Sequence, residues 1–321
     1  MKSHAFCLTL LASLAVSIAA ALPAQAQRAR VFVSVNGNDG NPCTAVSPCR
    51  TFQAAHDAVL AGGEISVLDT GGYGTLIISK SISIVAIGVQ ASIAIPLGGT
   101  GITINAAFGD VVSLRGLIID GQGVGHSGIV FNTGLSLEVV DCVVRNMAAN
   151  GLEFHGKATT TQQLAVSNSY FADNGIDGTF IETTNLGTVA AAIDRTVFFG
   201  NLGSGLLAQG SDGTGGLFVG VTDSLAANNN SSGSTAAGFQ VSSGNGFGSI
   251  SNLSVTHSLV EGNIIGVAAV GSHATLWLAQ STLTGNAAGF QTVGGSILSY
   301  SDNYITANGA STGTLTPVGK Q

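Results

Sequence analysis

The nine residues Val166-Ser167-Asn168-Ser169-Tyr170-Phe171-Ala172-Asp173-Asn174 return, in the same order of apolar and polar positions, as Val255-Thr256-His257-Ser258-Leu259-Val260-Glu261-Gly262-Asn263. Anchored on its last residue, the phrase also ends at Asp120, Asn146, Asn201, Asn229, Asn286 and Asn308, with intervals of 22 to 34 residues. Three positions before the anchors stand Leu117, Val143, Phe171, Phe198, Ala226, Val260, Leu283 and Ile305, all apolar. Ten and eight positions before them, pairs such as Leu164/Val166, Val219/Val221, Leu253/Val255 and Leu276/Leu278 alternate with polar or small residues. The Asn146 unit joins this frame only with a one-residue slip, as Leu137/Val139. Alternation over pieces this short means half-buried strands and excludes helices.

Self-similarity at such a spacing is the mark of a repeat architecture. A leucine-rich repeat needs a Leu-x-x-Leu-x-Leu frame that the sequence does not carry, and propeller blades run to about 40 residues. A coil of three short strands and three turns per circuit fits the length. Successive circuits then stack as parallel strands about 4.8 Å apart. Equivalent positions lie over one another, so the apolar column fills an interior and the Asn column forms a ladder of amides that satisfies buried turn groups. Unequal intervals place extra residues in turns, where chain entropy tolerates them; 210–216 and 228–234, rich in Gly, Asn and Ser, are such inserts.

The composition agrees. Of the 321 residues 45% are hydrophobic, only 8% are charged and 46 are Gly, against roughly 25% charged in an ordinary soluble domain. Disorder goes with the opposite balance, and the glycines lack the three-residue period of collagen. The formal net charge is −7 and no Lys or Arg occurs between Arg195 and Lys320. Nucleic acid, gripped through basic contacts to phosphate, is therefore excluded as a partner.

Residues 1–26 read as a cleaved signal peptide: Lys2, an uncharged run from Ala5 to Leu22, then Ala24-Gln25-Ala26 with its cleavage site after Ala26. No later stretch is apolar enough for a membrane span, so the expected location is secreted or periplasmic. Cys43 and Cys49 flank a short turn-rich loop and are expected to pair in an oxidising compartment; their spacing does not suit zinc. Cys142 reads as a lone buried thiol. Residues 27–66 read as an N-terminal cap built of a strand (Val31 to Val35), the Cys43–Cys49 turn and a helix from Thr51, its N-cap, to Leu60, ended by Gly62-Gly63. A cap blocks end-to-end pairing of an open stack. The coil proper spans 67–310, and 311–321 forms a C-terminal tail.

The N-terminal order of Val-Phe-Val-Ser-Val-Asn-Gly-Asn-Asp-Gly-Asn-Pro (31–42), Thr-Phe-Gln-Ala-Ala-His-Asp-Ala-Val (51–59) and Gly-Gly-Glu-Ile-Ser-Val-Leu-Asp-Thr-Gly-Gly-Tyr-Gly (62–74), followed by the Asn-rich coils, resembles the right-handed parallel β-helix proteins of the pectin/pectate lyase-like superfamily. The resemblance covers about 31–310 and implies an all-β, right-handed parallel β-helix. It is specific for fold and not for activity, because such proteins include lyases, hydrolases, epimerases and adhesins. The hydrolases' Asn-Thr-Asp, Asp-Asp and Gly-His-Gly set does not occur here, nor does a basic lyase set, so no catalytic residue is carried over.

Candidate chemistry comes from the stacking itself. Six positions before the anchors, Asn168, Arg195, Asp223, His257, Gln280 and Asp302 form a polar column with Asp194 beside it. Arg195, Asp223 and His257 would be vertical neighbours able to act as acid and base. Asp194 and Asp223 on adjacent coils would approach the roughly 5 Å carboxyl separation of a retaining glycosidase. The competing reading is a solvated corner row of mutually offsetting charges. Arg145 is a second candidate base, against a default of a surface ion pair with Asp173 on the next coil. His126 and His155, with Lys157, read as turn residues, and no metal or cofactor is expected. Trp277, between inward Leu276 and Leu278, should face outward, where its indole can stack on a sugar or cover a side loop; Arg195 and Trp277 are the candidate binding residues. The leading expectation is an exported β-helix that binds polysaccharide or cell-envelope glycan without catalysis. A polysaccharide lyase or glycoside hydrolase and a self-associating adhesive element are the alternatives.

Overall fold

In the computed structural model the described residues are 28–319, except 158–159, 185, 211–212, 214, 230–235 and 245–249. The signal-peptide reading of 1–26 lies outside them. The described residues wind into three parallel sheets, here I, II and III, of twelve, ten and nine strands. One circuit takes Thr161–Ser167 in sheet I, Tyr170–Ala172 in sheet II and Thr179–Thr183 in sheet III, and the next begins at Thr188–Asp194, directly over the first. Strands of sheet I are long and those of sheet II only a few residues, so sheet I presents the broadest outer face.

The interior is the column that the repeat demands. Phe171, Phe198, Ala226, Val260, Leu283 and Ile305 are paired rung by rung in sheet II. The first five are fully buried, and the rings of Phe171 and Phe198 stack at 5.7 Å. Below Phe171 the register differs from expectation: Val144, not Val143, lies under Phe171, and Ile119, not Leu117, lies under Val144. The anchor position of that coil is accordingly Met147 rather than Asn146, and Asp120 is level with Arg145. The strand Val143–Arg145 reaches its corner one residue later than that frame places it, with Asn146 in the left-handed position (φ 59°) that Asp173 (φ 54°) takes on the next coil, so the apolar phase survives while the polar anchor shifts.

The Asn ladder runs through Asn174, Asn201, Asn229, Asn263, Asn286 and Asn308. Each Oδ1 accepts the backbone N–H of the rung before it, and each amide from Asn174 to Asn286 donates to the next Oδ1 at 2.8–3.0 Å. A second ladder, unforeseen, climbs the other corner: Ser169, Ser224, Ser258 and Ser281 accept the N–H of Cys142, Thr196, Ser224 and Ser258. Buried corner amides thus find partners where no strand can supply them.

At the N-terminus the helix is shorter than the sequence suggests, Phe52–Ala58. Thr51 is its N-cap, accepting from the Ala54 N–H, and Val59 already begins the strand Val59–Val67. Phe52 and Ala55 are fully buried, and the helix packs on the first strands of sheets I and III. The first strand is Arg28–Val33. The Cys43–Cys49 disulfide is present, and Cys142 is a buried free thiol that burial pushes up to about 11. At the other end the tail contributes Leu315–Pro317 as the last strand of sheet I.

Candidate functional site

The outer face of sheet I carries a groove of about 800 Å3. Inward positions of successive strands are Leu164/Val166, Ala191/Ile193, Val219/Val221 and Leu253/Val255, so alternation turns their neighbours outward. These outward residues stack in register as Glu138, Ala165, Ala192, Gly220, Ser254 and Trp277, and beside them as Ser136, Gln163, Ala190, Phe218 and Asn252. Small side chains in mid-face leave a trough. It crosses seven strands from Val111–Arg115 to Ala274–Ala279, about 29 Å at roughly 4.8 Å per strand. Phe218 is half exposed, and Trp277 at the far end is stacked against Tyr300, ring centres 6.1 Å apart.

Among the described lining residues one side chain is ionisable, Glu138, whose carboxylate accepts a 2.7 Å hydrogen bond from Ser113 Oγ. The arginines are engaged elsewhere. Arg115 lies 3.9 Å from Asp141, Arg145 Nε donates to Asp120 at 3.0 Å, and Arg195 pairs with Asp194 while its Nε donates to Asn168 at 2.9 Å. Arg145 therefore meets Asp120, not Asp173, because of the register shift.

The predicted polar column has a backbone explanation. Asn168, Arg195, Asp223, His257 and Gln280 all have φ between 44° and 49° and turn the chain from sheet I into sheet II. That left-handed conformation favours Asn, Asp and His. In the last coil it falls on Ser301 rather than Asp302. Arg195, Asp223 and His257 do occupy successive storeys, exposed at the corner and outside the groove. Asp194, level with Thr222 at the strand end, lines a smaller pocket of about 200 Å3 that shares Ala192, Gly220 and Ser254 with the groove.

A separate ionic cluster sits on the outer face of sheet III. His155 lies on the strand Leu152–Gly156, not in a turn. Its ring contacts Glu182 at 2.6 Å and Glu153 at 3.4 Å. Hydrogen bonds that the ring donates to both carboxylates raise its pKa to about 9. Burial alone would raise Glu153, but hydrogen bonds from His155, Ser127 and Asn150 hold it down to about 2. Nearby in the chain, buried Asp177 is pushed up to about 6 by desolvation, opposed by one hydrogen bond from the Ser204 N–H. Alternation across Leu152, Glu153, Phe154 and His155 was the signal that could have placed this cluster on a strand face. The groove's signal was the run of small outward residues at Ala165, Ala190, Ala192 and Gly220.

The architecture is that of a right-handed parallel β-helix of the pectate lyase-like kind. Among solved structures, it is similar to that of pectate lyase Pel9A, with a TM-score of 0.60 and 18% identity, covering 91% of this chain and 78% of that one. It is also similar to an alginate lyase from Paenibacillus sp. str. FPU-7, with a TM-score of 0.54, 12% identity, and coverage of 90% and 99%. No family model matches the chain, and no curated protein matches it.

Proposed function

We propose that this protein is an exported β-helix that binds polysaccharide at the cell surface without cleaving it, with the chain lying along the groove of sheet I. The observation that carries this reading is the groove itself: open, spanning seven strands, floored by small and hydroxylic residues and furnished with Phe218 and Trp277. Such a shape suits an extended polymer better than a compact ligand, and aromatic faces stack on sugar rings. Among the described lining residues Glu138 is the one ionisable group, whereas general acid–base chemistry uses a pair. The lyases of like fold act on polysaccharides by their names, and the disulfide and the leader pattern of 1–26 fit export.

The test is affinity electrophoresis and calorimetry of the purified protein against a panel of soluble polysaccharides, with reducing ends and unsaturated products assayed in the same samples. Binding without product, weakened about tenfold by Trp277→Ala, is the expected result. Failure to bind any polymer refutes the reading. One observation favours an enzymatic alternative: Asp194 lines the pocket adjoining the groove, with Asp223 and His257 on the storeys above. Product formation abolished by Asp194→Ala or Asp223→Ala would replace binding with turnover.

A further inference from the structure

We infer that the groove selects uncharged polysaccharide chains and rejects polyuronates. This rests on the proposed function and narrows its ligand class. The likeness in fold is to a pectate lyase and an alginate lyase, yet the electrostatics of this trough point the other way.

A polyuronate carries a carboxylate on each sugar, so a chain laid along about 29 Å of groove would bring several negative charges against the floor. Among the described lining residues none is Lys, Arg or His. The one charge among them is Glu138, which repels a carboxylate, and Asp194 adds a second acidic group at the adjoining pocket. Arg115, Arg145 and Arg195 are already held by Asp141, Asp120 and Asp194. The sequence has no Lys or Arg from 196 to 319, and Lys157, exposed in the turn that leads into Thr161–Ser167, is not among the lining residues. Residues outside the description between 111 and 279 are likewise without Lys or Arg. Desolvating a carboxylate with no partner is costly, whereas a neutral sugar presents what the lining can use. Its apolar face meets Trp277 and Phe218, and its hydroxyls meet Ser113, Gln163, Asn252 and Ser254.

The discriminating pair of probes is highly methyl-esterified homogalacturonan and the same polymer after de-esterification, identical in backbone and different in charge. A neutral mixed-linkage β-glucan is the third probe. Binding is measured by calorimetry at low salt, with and without calcium. The expected result is binding of the glucan, the esterified polymer or both, at least tenfold tighter than the de-esterified chain, with the gap narrowing as salt screens the repulsion. Ala192→Lys, at an exposed position of the groove floor, is expected to narrow the gap at least threefold by tightening the de-esterified polymer. De-esterified polymer bound as tightly as the esterified one, under either calcium condition, overturns the inference while leaving polysaccharide binding intact. Absence of binding to all three probes and to the wider panel refutes the proposed function, and this inference with it.

Discussion

Replacing Asn229 with alanine removes a middle rung of the corner ladder, and its cost can be worked from the bonds lost. Asn229 is fully buried. Its Oδ1 accepts from the Asn201 backbone N–H at 3.2 Å and from Asn201 Nδ2 at 2.9 Å; its Nδ2 donates to Asn263 Oδ1 at 3.0 Å and to the Phe198 carbonyl at 3.1 Å. After truncation Asn201 Nδ2 keeps the Phe171 carbonyl and Asn263 Oδ1 keeps the residue-229 N–H. The Asn201 N–H keeps nothing. An orphaned buried donor costs about 1–3 kcal/mol, and each weakened neighbour adds a fraction of a net bond of about 1 kcal/mol. The sum is about 3 kcal/mol. Asn308→Ala is the control. Its Oδ1 likewise accepts two bonds from Asn286, but Asn308 is only partly buried at the last rung. Water can take over there, and the cost falls to about 1 kcal/mol. Urea unfolding followed by far-UV circular dichroism compares the two at constant slope. Equal midpoints for the two variants, or an Asn229→Ala loss below about 1 kcal/mol, would refute the ladder as a source of stability.

The titrating groups give two further expectations. Asp177, 5% exposed, has its folded pKa raised from 3.8 to about 6. Its contribution is therefore present below pH 3.8 and lost as pH rises through 6; Asp177→Asn, which keeps an acceptor for the Ser204 N–H, should stabilise by about 1–3 kcal/mol at pH 8 and by nothing near pH 3.5. An unchanged unfolding midpoint at pH 8 counts against it. On sheet III, the raised pKa of His155 makes its contribution complete below pH 6.5 and lost towards 9, while the depressed pKa of Glu153 makes its own complete above pH 4.5 and lost towards 2. The cluster's own contribution is thus complete between about pH 4.5 and 6.5, and with the loss from Asp177 added the wild-type profile should peak near the lower end of that range; His155→Gln should flatten the flank above pH 6.5, and a flank unmoved by that substitution would show the cluster to be energetically idle.

The coil itself was legible before any coordinates. An interior column through Phe171, Phe198 and Val260 and an Asn ladder at the following corner come from residues that recur every circuit, and stacking identical positions leaves them no other place. Local pattern also marked the outward turn of Trp277 and the pairing of Cys43 with Cys49. It misjudged what depends on register. A repeat anchored on polar residues tolerates a one-residue shift that the apolar phase does not, so Val144 and Met147 took the places assigned to Val143 and Asn146, and Arg145 found Asp120. The polar column at Arg195, Asp223 and His257 also meets a backbone requirement, a φ of 44–49° at each storey, that residue type alone does not display.

Which side chains recur was thus settled along the chain, one circuit at a time. Which of them share a surface was decided only by the hydrogen-bonded register between circuits some 27 residues apart in sequence, as with Glu182 above His155 and the small residues that open the groove of sheet I. A side chain's neighbour across a parallel sheet is set by the length of an entire turn, a quantity that no local window of sequence contains.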